Sequence, residues 1–260
     1  MKSFCSVGIL VAAVLAAVVA VNGQIPIPRR ELGFVYANGQ PNASVHLDFY
    51  IDLICPDSKA ALPTVLQVAD QYGPDRLRLV THLFPLPYHR AGFYAAKGAH
   101  VVDMLSKGKS TYAWFNILYN NIDSLVNTAT HQISDAAVVQ RLAKLAEDVV
   151  SGSSGQFAKL VDSDTVEQDT RVAWKYACTR GVAATPTFMV NDVLVSADPS
   201  WTVKDWSKVI DPLLAPQQPF VTFQTVKTCP ADTKRCEYLP RKVECCTKGE
   251  YCIPNVGCRC

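Results

Sequence analysis

Apolar and polar or amphipathic residues alternate at period two along Val45-His46-Leu47-Asp48-Phe49-Tyr50-Ile51-Asp52-Leu53, which predicts a strand ending just before Cys55. A helix is expected to start there. Ala60, Ala61, Leu62, Val65, Leu66, Val68 and Ala69 fall at helical spacing between Lys59 and Tyr72, with Pro63 expected to kink the helix and Gly73-Pro74-Asp75 to close it. Leu77 to Phe84 predicts a second strand ended by Pro85 and Pro87, so the first elements make a β-α-β unit. From Arg90 to Cys178 the period becomes helical, over Ala91 to Leu105, Ala113 to Tyr119, Asp135 to Val150 and Asp164 to Thr179, with Ser134 and Ser163 as N-caps. Two short apolar runs around Asn191-Asp192, Thr187 to Val190 and Val193 to Val195, predict a hairpin, and Val203 to Leu214 a last helix.

The two ends break this pattern. Met1 and Lys2 precede an apolar run from Val7 to Val21 that closes on Val21-Asn22-Gly23, the layout of a secretory signal peptide (residues 1–23) cleaved after Gly23. No later run is long enough to span a bilayer, so a mature chain soluble in the secretory pathway or outside the cell is expected, in a compartment that permits disulfides. At the other end, Pro212, Pro216 and Pro219, three prolines within eight residues, mark a stiff linker, placed at 216–228 between a domain at 24–215 and a tail at 229–260.

Composition changes the picture mainly through cysteine. The 25 basic and 23 acidic residues leave a formal charge of +2 with no long block of one sign, which gives no indication of nucleic acid as a partner, and 49% hydrophobic content supports a substantial core. Of ten cysteines, Cys5 leaves with the signal, Cys55 and Cys178 stand alone, and Cys229, Cys236, Cys245, Cys246, Cys252, Cys258 and Cys260 crowd the tail. A segment that short buries too little apolar surface to hold itself, so disulfides are the expected fastener. Zinc is the competing reading, disfavoured by secretion and by the absence of histidine from the tail. Six of the tail cysteines, with an adjacent pair in the middle, are similar to a cystine-knot miniprotein; the seventh departs from it. Nine cysteines cannot all pair within one chain, so one is free or intermolecular; Cys55 is the natural candidate, and counting alone then offers Cys178 as a partner for the odd tail cysteine. Asn42-Ala43-Ser44 is a glycosylation sequon at Asn42.

Several of these strings resemble one family. Cys55-Pro56-Asp57-Ser58, followed by a helix with proline at position 63, resembles the active-site turn of the thioredoxin-like superfamily. Thr185-Pro186 resembles its cis-proline loop. A helical block at about 90–179 between those landmarks resembles the DsbA-like branch, as does Phe84-Pro85-Leu86-Pro87-Tyr88-His89 where the block begins, and Cys-Pro-Asp-Ser resembles eukaryotic secreted members. The resemblance covers about Val35 to Leu214. It implies an α/β thioredoxin-like fold with an inserted helical block, a cis-proline at Pro186, and substrate contacts from Pro56, Asp57, Thr185 and Pro186.

The motif bounds the chemistry. A cysteine at a helix N-terminus faces unpaired N–H groups and the positive end of the dipole, which favour the thiolate; the Asp57 carboxylate repels it. Ser58 could donate a hydrogen bond to the Cys55 sulfur, but a hydroxyl closes no disulfide, so the resolving thiol must come from outside: the client itself or glutathione as co-substrate. Exchange, isomerisation or covalent capture of cysteine-containing secreted proteins or peptides therefore stand beside a non-catalytic peptide- or protein-binding module. Asp48 and Asp52 are candidate proton shuttles or hydrogen-bonded structural carboxylates, with the structural role favoured; His82 and His89 read as a strand and a loop residue. Neither cofactor nor metal is called for.

Overall fold

A computed structural model describes residues 27–28, 31–215, 229–239 and 242–259. The signal segment, the linker and Cys260 lie outside the described residues. The chain divides into two compact units between Asp211 and Pro212.

The first unit is built on β1 (Phe34–Val35), β2 (Val45–Ile51), α1 (Pro56–Tyr72) and β3 (Leu77–Leu83). Next come α2 (Gly92–Ser106), α3 (Thr111–Asn120), a 3-10 turn (Ile122–Ser124), α4 (Asn127–Thr130), α5 (Asp135–Glu147), α6 (Ser154–Leu160) and α7 (Asp164–Thr179). Strands β4 (Thr187–Val190) and β5 (Val193–Val195) and helix α8 (Val203–Leu214) follow. The sheet order is β1-β3-β2-β4-β5. Only β2 and β3 run parallel, joined through α1 as the β-α-β pattern requires.

Local chemistry explains where elements begin and end. Strand β2 stops at Ile51, short of the apolar run, because Asp52 turns the chain: its carbonyl accepts from Cys55 N at 3.0 Å and its carboxylate from Ile54 N at 2.7 Å. Helix α1 begins at Pro56, earlier than the run from Lys59, since a first-turn proline has no N–H to lose and a preset φ. It continues through Pro63 as one element. Ser134 and Ser163 do cap α5 and α7, accepting from Ala137 N at 3.2 Å and Val166 N at 3.5 Å. The pieces that periodicity missed, β1, the 3-10 turn, α4 and α6, are too short to show a period.

The core runs from sheet to helices. Leu47, Phe49 and Ile51 are fully buried, and Phe49 stacks on Phe188 across the β2–β4 pair with centroids 5.0 Å apart. In the helical block Trp114 and Phe157 pack against Gly98, where an added Cβ would sit 2.6 Å from the Trp114 ring; only glycine allows that approach. Helix α3 reaches the sheet through two hydroxyls. Tyr112 donates to Phe34 O at 2.8 Å, and Tyr119 donates to Asp52 O at 3.1 Å.

The second unit contains β6 (Lys234–Leu239) paired with β7 (Lys242–Cys246), and β8 (Tyr251–Ile253) paired with β9 (Gly257–Arg259). Three disulfides join Cys229 to Cys245, Cys236 to Cys252 and Cys246 to Cys258. The sulfurs of Cys236, Cys246 and Cys258 converge within 4.8 Å, and all three are spent in these bonds, so none of the three is a thiolate.

Candidate functional site

Cys55 occupies the N-cap of α1, and Pro56 and Asp57 stand exposed in the first turn while Ser58 turns fully inward. Strand register brings in the second landmark. Tyr50 near the end of β2 pairs with Thr187 at the start of β4, so the residues after one and before the other must meet, although they lie far apart in sequence. Thr185-Pro186 is a cis peptide, and the Cys55 thiol donates to Thr185 O at 3.3 Å.

That contact bears on mechanism. Cys55 is only 4% exposed, and its thiol proton points to the Thr185 carbonyl. A thiolate or a disulfide sulfur has no proton to donate, so this contact belongs to the protonated thiol. Ser58 Oγ and Thr185 Oγ1 are both buried without a hydrogen-bond partner among the described residues. The Tyr119 hydroxyl lies close enough to feel Ser58 but donates to Asp52 O; burial, reinforced by the Asp52 and Cys55 charges, pushes it well above its ordinary range and keeps it neutral.

Asp52 is 1% exposed and acts as a hub. Besides Ile54 N, its carboxylate accepts from Leu86 N at 2.8 Å and meets His89 Nδ1 at 2.7 Å. It therefore fixes the turn that carries Cys55 to the loop after β3, the structural of its two expected roles. Asp48 pairs instead with His82 Nε2 at 2.8 Å, and His82 stacks on Tyr50, so neither touches the cysteine turn. His89 does join the site's support, through Asp52. Nothing in the sequence marks Tyr119 as a support of the site, because a tyrosine in an apolar run carries no local sign of what it faces.

Cys178, near the end of α7, is an exposed free thiol, and partial desolvation of its sulfur pushes it above its ordinary value. Asn42 is exposed in the turn before β2. A cavity of about 450 Å³ opens beside the Asp52 hub, between the loop after β3 and α7. A larger one, about 730 Å³, lies against β1 and the α2–α3 turn, and Cys55 does not line it.

The family model described as Thioredoxin matches residues 35–212, over half the chain and including both landmarks. The chain belongs to the thioredoxin family. Among solved structures, a candidate protein-disulfide isomerase from Pseudomonas syringae aligns over 68% of this chain and 97% of its own, at 18% identity and a TM-score of 0.58. α-DsbA1 from Wolbachia pipientis aligns over 73% and 92%, at 21% identity and a TM-score of 0.55. BdbD from Bacillus subtilis aligns over 71% and 94%, at 16% identity and a TM-score of 0.54. At these identities the likeness is one of fold, the DsbA-like form of thioredoxin with its inserted helices. No curated protein matches the chain in sequence.

Proposed function

We propose that this member of the thioredoxin family is a secreted monothiol exchange protein acting on cysteine-containing peptides or proteins of the secretory pathway. One observation carries the reading: a cysteine at a helix N-terminus, against the carbonyl of a cis Thr185-Pro186 peptide, with Ser58 where a second thiol would stand.

The steps balance with one protein sulfur. The Cys55 thiolate attacks one sulfur of a client disulfide; that S–S bond breaks, a Cys55–client disulfide forms, and the other client sulfur leaves as thiolate. Release follows when a second client thiolate, or glutathione, attacks the client sulfur of the mixed disulfide and Cys55 departs as thiolate. The first route is isomerisation, the second glutathione-dependent exchange. Pro56 and Asp57, exposed at the mouth, and the Thr185-Pro186 edge are the surfaces against which the client segment lies. Export is supported by the N-terminal apolar run and by the disulfide-rich tail, and Asn42, exposed in its sequon, is the proposed glycan site.

The small exposure of Cys55 favours a second reading, a peptide-binding module with an unreactive thiol. Alkylation of the native protein at graded pH, mapped by peptide mass, separates them. Exchange requires Cys55 to label faster than Cys178, whose sulfur is held protonated by partial burial, and requires Cys55→Ser to abolish mixed disulfides with a cysteine peptide. Labelling of Cys55 no faster than Cys178 would sink exchange and leave the binding module. A deglycosylation that leaves the mass unchanged would remove the glycan at Asn42.

A further inference from the structure

The 450 Å³ groove has a composition that no step above uses. Its floor is apolar: Leu86 from the loop after β3, Phe93 from α2, and Trp174 from α7, which lies parallel to the Phe84 ring with centroids 5.7 Å apart. Its volume falls within the range of about 300–1,000 Å³ usual for ligand clefts. Its rim is basic. Arg171, Trp174 and Lys175 share one face of α7 at i, i+3 and i+4, while His89 and Arg90 stand on the opposite wall.

The charges facing this rim are unequal. Arg171 is paired with Glu167 at 2.7 Å, Arg90 with Asp135 at 2.7 Å, and His89 with the buried Asp52. Lys175 has no carboxylate within ion-pair distance among the described residues, and no carboxylate lines the groove. The Leu86–His89 wall is also bonded through the buried Asp52 carboxylate to the turn bearing Cys55.

We propose that this groove, between the loop after β3 and α7, is a second recognition site for a client segment in which an aromatic or aliphatic side chain is followed by a carboxylate. The apolar side chain fills the floor against Trp174 and the carboxylate meets Lys175. The proposal names a substrate class for the exchange reading and rests on that reading for its purpose, but not for its existence. It predicts that clients are selected by residues flanking the cysteine and not by the cysteine alone.

Three fluorescein-labelled, thiol-free octapeptides test it on the full chain at low salt by anisotropy: Gly-Ser-Leu-Phe-Asp-Glu-Ser-Gly, its charge-reversed form with Lys-Lys in place of Asp-Glu, and a form with Ser-Ser in place of Leu-Phe. The first is expected to bind at least tenfold more tightly than either of the others. Lys175→Glu, at an exposed position, should weaken it at least fivefold with an unchanged circular dichroism melt, and Lys175→Gln by less. Equal affinity for the three peptides, or a first peptide indifferent to both Lys175 variants, would overturn the groove. Mixed-disulfide formation, measured separately, distinguishes the two claims: selective binding without it upholds the groove and removes exchange, whereas mixed disulfides formed without peptide preference remove the groove alone.

Discussion

The two units use sulfur in opposite ways. In the first, Trp114, Phe49, Phe188 and their neighbours are fully or almost fully removed from water, and the two cysteines among its described residues, Cys55 and Cys178, are both free. In the second, the most deeply buried side chains are half-cystines, Cys236 and Cys246, while Tyr251 is 74% exposed. A domain that buries enough apolar surface can leave a thiol uncommitted, whereas a short segment that cannot must make sulfur its core.

The sharpest way to break that comparison is reduction. Dithiothreitol is expected to abolish the protease resistance of the tail entirely, each lost disulfide costing about 2–5 kcal/mol, and to leave the urea transition of the first unit in place. If the first unit unfolded as well, the division of labour would be wrong. The converse test is Phe49→Ala, which removes a fully buried ring stacked on Phe188; it should cost the first unit about 3–5 kcal/mol in urea unfolding and leave the tail disulfides intact by mass mapping.

Asp52→Ala addresses the join between fold and site. It strands Ile54 N and Leu86 N, buried donors whose loss of partners costs about 1–3 kcal/mol, and it should also change the Cys55 alkylation rate because the turn is no longer tied to its loop. A stability loss with unchanged alkylation would confine Asp52 to folding. Smallest is Ser134→Ala, which removes a side-chain cap from α5 and should lower stability by about 1 kcal/mol with no effect on Cys55.

Much of the fold could be read from periodicity. The run from Val45 produced β2, the Lys59-to-Tyr72 spacing produced most of α1, and the two serine caps lay where the pattern of α5 and α7 began. These are properties of a chain segment and its own solvent exposure. The site was legible only in part. Cys55 and Thr185-Pro186 carry recognisable local strings, but Asp52 reads as one more polar position on a strand, and the three partners of its carboxylate, Ile54, Leu86 and His89, come from two different loops.

The amino-acid sequence by itself determined that one thiol stands where a pair would be needed and that the remaining sulfur is gathered in the tail, because both are matters of composition and spacing. Tertiary structure alone decided what surrounds that thiol. The β2–β4 register sets the Thr185 carbonyl against its sulfur, Asp52 ties its turn to the next loop, and that loop shares a groove with Trp174 and Lys175. The reason is physical: burial and hydrogen-bond partnership belong to pairs of segments brought together by the sheet, and no local pattern in either segment encodes the other.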